Sequence, residues 1–172
     1  MNTKDKSNRI IYALTGGNGS GKTTYALHIS KEKGAVFFSL DKTIKDFNQV
    51  IQSYEDYMSH YQRALDFLSA QALFVLKNGG SVVFDFGGGL SSRHLLKQIA
   101  KSCDAEIEIF HLKVPLEERR RRIHQRNKAK DKTVYFFHMS DEEFNVHNKN
   151  DPEAPPPEPG IKVITVTFQG SS

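Results

Sequence analysis

The sequence has no tryptophan, a single cysteine and no long apolar run. One cysteine, Cys103, closes no internal disulfide and holds no metal alone, which excludes a disulfide scaffold and a cysteine-based zinc site. Ala72-Leu73-Phe74-Val75-Leu76 is typical of its apolar runs, far below the roughly 18 residues a membrane span needs. Met1 to Arg9 is polar and basic with no signal-length apolar stretch behind it, so a cytoplasmic location is expected. There is no H-E-x-x-H and no G-x-S-x-G, and the seven histidines show no ligand spacing. His138 and His147 read as surface residues, and nothing marks an obligate protein partner.

What is present suits one globular domain spanning 1–172, since 38% of residues are hydrophobic and can supply a core. The net charge of +4 is uneven. Lys113 to Lys132 carries nine basic and three acidic residues, a local +6, which leaves −2 for the rest. That concentration suits either a local anion site or a solvated helix face rather than a surface built for nucleic acid.

Short β-rich runs alternate with helical patterns. Strands are expected at Arg9–Thr15, Ala35–Leu40, Ser81–Phe84, Glu106–Val114 and Ile161–Phe168. Helices are expected at Lys22–Lys33 with Gly34 as stop, from Tyr54 to Val75, at Ser91–Ser102 with a serine cap, and after Pro115. The Tyr54-Tyr57-Met58-Tyr61-Leu65-Leu68 stripe reads as core packing. Asp151–Gly160 holds five of the six prolines and should be a stiff connector. The alternation implies an α/β fold: a mainly parallel sheet covered on both faces, with strand-to-helix loops at one edge.

The first such loop carries the strongest signal. Gly16-Gly17-Asn18-Gly19-Ser20-Gly21-Lys22-Thr23 fits G-x-x-x-x-G-K-[ST], followed by Thr24. Its glycines let backbone N–H groups converge on phosphate oxygens, and the following helix adds its positive end. Lys22 reaches β- and γ-phosphates and the Thr23 hydroxyl suits Mg²⁺. This loop is expected to bind a nucleoside triphosphate.

Two aspartates end strands. Asp41 could accept a proton from an attacking hydroxyl, or could cap a helix starting near Lys42. Asp85 ends a hydrophobic strand in the usual manner of a Mg²⁺-side carboxylate. Gly87-Gly88-Gly89 allows close approach by a substrate or is only a loose turn. In Arg119-Arg120-Arg121-Arg122, helical geometry aligns Arg119, Arg122 and Arg126. Arg122 and Arg126 are the candidates for stabilising charge on a transferring phosphoryl group, with Arg120 and Arg121 solvated.

Together, GGNGSGKTT, FSLDKTI, VVFDFGGGLSSRH and HLKVPLEERRRRIHQRN resemble the small P-loop kinases of the polynucleotide-kinase and zeta-toxin type. They are most similar to the AAA_33-like ATP-binding group that includes chloramphenicol phosphotransferase relatives. The resemblance implies a P-loop NTPase three-layer α/β/α sandwich with a five-stranded parallel sheet in the order 2-3-1-4-5. It implies ATP and Mg²⁺ as cofactors, Asp41 as general base, and Arg122 and Arg126 in a lid at about 115–135. It also makes Arg93 a substrate or phosphate contact and puts the connector near the adenine. Two departures stand out: Gly17-Asn18 where relatives often carry proline, and further glycines where they carry an aromatic residue after Asp-Phe-Gly. The expected activity is transfer of the γ-phosphate of ATP to a hydroxyl, on a small molecule by preference. A 5′-hydroxyl nucleic acid end and a nucleotide-binding regulator without acceptor are the alternatives.

Overall fold

Five parallel strands form one sheet in the order β2-β3-β1-β4-β5. The computed structural model describes residues 9–47, 54–128, 138–149 and 152–168. Within them lie β1 (Ile10–Thr15), α1 (Lys22–Lys33), β2 (Val36–Phe38), α2 (Leu40–Phe47), α3 (Tyr54–Lys77) and β3 (Val82–Gly87). There follow α4 (Leu90–Cys103), β4 (Glu106–Lys113), α5 (Leu116–Lys128), α6 (Asp141–His147) and β5 (Ile161–Thr167). None of the described helices is long and apolar enough to cross a membrane.

The strand period of two divides the core into two layers. Ile11, Ala13, Val82, Phe84, Ile107 and Ile109 point to one face, where they pack with Ile44, Leu68, Leu76 and Leu96 from α2, α3 and α4. Tyr12, Leu14, Val83, Phe110 and Leu112 point to the other, against Ala26 and Ile29 of α1. Both faces of the central strands are apolar, as a parallel sheet covered on each side requires.

Four local details differ from expectation, the first being that β3 runs on through Asp85 to Gly87 instead of ending at Phe84. β2 stops at Phe38 because Ser39 begins a helix: its hydroxyl accepts from Lys42 N at 3.3 Å and its carbonyl from Thr43 N at 3.1 Å. The cap of α4 is Gly89, with no side-chain bond, rather than a serine. α6 was not anticipated, although Ser140 and Glu143 form a reciprocal capping box that the S-x-x-E pattern spells out. Elsewhere the boundaries follow the sequence closely. α1 begins at Lys22 and ends at Gly34, whose φ of 63° suits a left-handed C-cap, and Pro115 supplies the carbonyl that accepts from Arg119 N at 3.0 Å. The expected lid spans α5 and residues 129–135, and the latter lie outside the described residues.

Candidate active site

The site lies at the C-terminal edge of the sheet, where β1 and β3 deliver their loops. After Thr15 the chain turns through Gly19 and Gly21 with φ of 79° and 91°, values open to glycine and strained for other residues. Gly21 caps α1 without any side-chain bond, which directs the first amides of the helix to an anion. Lys22 Nζ donates to the carbonyls of Gly16 at 2.9 Å and Gly17 at 3.2 Å.

Burial lowers the Lys22 pKa; Asp41 and Asp85 oppose the shift, while Arg119 and Arg126 reinforce it. The direction has a consequence. A triphosphate beside Lys22 favours the ammonium form and raises that pKa again. Binding is therefore expected to take up a proton at alkaline pH, once the pH exceeds the lowered value, and to weaken as pH rises further. Calorimetric titration of ATP in buffers of different ionisation enthalpy, at neutral and alkaline pH, measures that proton directly.

Asp85 shares the face of Val83 by strand alternation, so it meets α1. Its Oδ2 accepts from Thr23 Oγ1 at 3.3 Å and its Oδ1 from the amide of Leu40 at 3.2 Å. The carboxyl is buried, which pushes its pKa up, while donation by Ser39, Leu40 and Thr23 pulls it down. A hydroxyl and a carboxylate side by side are hard oxygen donors and fit Mg²⁺ shared with phosphates. Among the described residues no cluster of three or more His, Cys, Asp or Glu forms a cage for an ion held by protein alone.

Asp41 sits in the first turn of α2 but does not cap it, because Ser39 does. Its Oδ1 instead accepts from Tyr57 Oη at 2.8 Å. Burial and the neighbouring Asp41 carboxylate push the Tyr57 phenol far above its ordinary value, so it stays a donor. Asp41, Lys22, Thr23 and Asp85 line one cavity of about 1140 Å³, together with Asn18, Gly19, Ser20, Gly21 and Thr24. Gly16 and Gly17 underlie it through their bonds to Lys22.

The five arginines of α5 separate by role. Arg122 and Arg126 line the cavity. Arg122 Nη1 approaches the Gly19 and Ser20 carbonyls at 3.5 and 3.3 Å, its Nε binds Glu118 at 2.8 Å, and its guanidinium lies 4.6 Å over Phe168. Arg121 is exposed and shares Glu118, whose carboxyl the two guanidiniums hold down to about 2. Arg120 is not simply solvated, since it stacks 4.9 Å over Phe144 and donates to Asn145 at 2.9 Å, tying α5 to α6.

Arg119 is the residue that sequence reasoning passed over. It is 1% exposed, donates from Nε to the Val114 carbonyl at 3.1 Å and from Nη1 to Asn148 Oδ1, and lies directly under Gly17. A signal was available. Arg119 stands four residues before Ile123, the apolar residue that anchors α5, and so shares its buried face.

Two further expectations meet a different geometry. Arg93 is not among the residues lining the cavity; it donates to Glu158 and to the Gly88 carbonyl. Lys97 also reaches Glu158, so α4 pins the proline-rich connector. The C-terminal part of the chain reaches the cavity through Val166, Thr167 and Phe168 rather than through that connector. Gly87 and Gly88 serve packing within the protein: a Cβ on Gly88 would stand 1.9 Å from Thr15 Oγ1, and one on Gly87 2.6 Å from Ala13 Cβ.

A glycine loop running from the central β1 into a helix, answered by an acidic residue on the adjacent β3, defines a P-loop NTPase fold. The chain belongs to the AAA_33 family, described as an AAA domain, whose model matches residues 11–138. Among solved structures, a Chloroflexus aurantiacus protein whose name places it with the kinases is similar with a TM-score of 0.72 and 17% identity, over 93% of this chain and 85% of that one. Kti12 of Chaetomium thermophilum in complex with ADP-AlF3 gives 0.65 and 16%, over 90% and 88%. The Mycobacterium tuberculosis APS kinase CysC in complex with AMPPNP and APS gives 0.56 and 20%, over 95% and 91%. At such identities the likeness establishes the shared fold. No curated protein sequence matches the chain.

Proposed function

We propose that this protein is a phosphotransferase that moves the γ-phosphate of ATP to a hydroxyl group of a small acceptor. The observation that carries the reading is the placement of Asp41 on the same cavity as Lys22, Thr23 and Asp85, from a different element. A module that only held nucleotide would need the latter three and no carboxylate across the cavity. Similar folds are found in proteins named as kinases, which supports the same reading.

In this reading the loop amides and Lys22 hold the triphosphate, and Thr23 with Asp85 hold Mg²⁺. The metal when bound supplies charge neutralisation across the β- and γ-phosphates. Asp41 takes the proton of the attacking hydroxyl, with Tyr57 fixing the orientation of its carboxylate. Arg122 and Arg126 counter the negative charge of the moving group.

One observation favours a second reading, a nucleotide-binding module without acceptor: the Asp41 carboxylate already holds a hydrogen bond from Tyr57. Incubation with γ-labelled ATP, Mg²⁺ and a panel of hydroxyl compounds (sugars, nucleosides, aromatic alcohols, 5′-hydroxyl oligonucleotides) separates the two. Phosphotransfer yields a labelled acceptor. Label that appears only as inorganic phosphate, or stays on ATP throughout, overturns the proposal.

A further inference from the structure

The cavity has two chemically distinct walls. Among the described lining residues, the cations Lys22, Arg122 and Arg126 come from α1 and α5, the side that carries the phosphate loop. A second wall is formed by Leu40 and Asp41 of α2, Tyr57 and Tyr61 of α3, and Phe86 of β3, whereas Asp85 of β3 belongs with the first, bonded to Thr23 of α1. Among the described residues this second wall has three aromatic rings, one carboxylate and no cation. The rings are not loose surface groups. Tyr57, Tyr61 and Phe86 pack on the main core, with Tyr57 6.3 Å from Tyr61 and Phe86 5.0 Å from Phe84, centroid to centroid. One face of each is therefore held while another borders the cavity. The Tyr57 hydroxyl is engaged with Asp41, which leaves its ring as the contact surface.

From this we infer that the acceptor is an uncharged hydroxyl compound that lays an apolar or aromatic face against Tyr57, Tyr61 and Phe86. The inference rests on the phosphotransfer reading for its purpose and on the wall chemistry for its content. An acceptor bearing phosphate, sulfate or carboxylate would meet Asp41 on a wall that, among the described residues, carries no cation of its own to offset the repulsion. Aromatic walls favour flat apolar partners, and the few polar groups present fix orientation. The same argument disfavours a nucleic acid end, whose neighbouring phosphates would have to pass this wall.

A matched pair of probes tests the assignment in the intact chain. 1-Phenyl-1,2-ethanediol and mandelate are nearly the same size and differ in carrying no charge or a carboxylate. With the protein loaded with Mg²⁺ and AMPPNP, saturation-transfer NMR titrations give an affinity for each. The diol is expected to bind on the order of ten-fold or more tightly than mandelate. Tyr61→Lys, with folding checked by circular dichroism, is expected to reverse the preference, and Tyr61→Phe to preserve it. Equal or tighter binding of mandelate to the unaltered protein, or binding of neither probe, overturns the assignment.

Failure of the underlying reading looks different. If the diol binds and no uncharged alcohol ever receives label from ATP, phosphotransfer falls and the wall assignment stands. If an anionic acceptor is labelled in preference to uncharged ones, phosphotransfer stands and the wall assignment falls.

Discussion

Asp41→Asn is expected to lower phosphoryl transfer by about 10²–10⁴-fold, the range that a positioned general base supplies, while affinity for ATP stays nearly unchanged. Asparagine has the shape of aspartate and its Oδ1 still accepts from Tyr57, so the side chain keeps its place. The start of α2 is also unaffected, because Ser39 and not Asp41 caps it. What disappears is the basic oxygen that receives the proton. In the proposed reading the triphosphate is held by the loop amides, Lys22 and the Thr23–Asp85 pair; Asp41 makes no hydrogen bond to these and acts on Lys22 only through its charge. Single-turnover transfer of labelled γ-phosphate, run beside equilibrium ATP binding, separates the two quantities. Transfer at the wild-type rate would show that Asp41 is not the base. Tyr57→Phe sharpens the result: it keeps the aromatic face and removes only the donor, so it should slow transfer less than Asp41→Asn does.

The sequence disclosed the phosphate loop and the sheet because both depend on local rules. Gly21-Lys22-Thr23 fixes the start of α1, Gly34 its end, and period-two alternation sorts Ile11 and Ala13 from Tyr12 and Leu14. Asp85 was legible as an acid following an apolar strand run beside a phosphate loop, although β3 continues past it to Gly87. Partner choice across long separations was not legible. The α3 tyrosines showed a helical stripe that reads as core, and Tyr57 and Tyr61 do pack on the core, yet they also border the cavity because α3 runs beside α2. Arg93 lies on the buried side of α4, and only the tertiary position of Glu158, 65 residues away, decides what it binds. Gly87 and Gly88 left a substrate approach and a loose turn both open, and it is the contact with β1 that shows what their missing side chains admit.

The arginine run is the sharpest case of this limit, and it carries the second large effect. Arg119→Ala is expected to cost about 3–5 kcal/mol of stability, from the void left by a large buried side chain and from acceptors left without donors. The acceptors are the Val114 carbonyl and Asn148 Oδ1, both buried. Asn148 closes α6, beyond the matched family span of 11–138, so a segment outside that span braces the phosphate loop from beneath. Urea denaturation should show a lowered midpoint, and ATP affinity should fall with it as the loop loses its support. Gly17 supplies the converse test. Its backbone does not demand glycine, since no positive φ is recorded there, but an added Cβ would lie 1.8 Å from Arg119 Nη1. Gly17→Ala should therefore be strongly destabilising alone, and much less so when combined with Arg119→Ala, which removes the atom it strikes. Additive losses in the double variant would mean that the two residues do not press on one another, and that glycine stands at 17 for some reason other than the arginine below it.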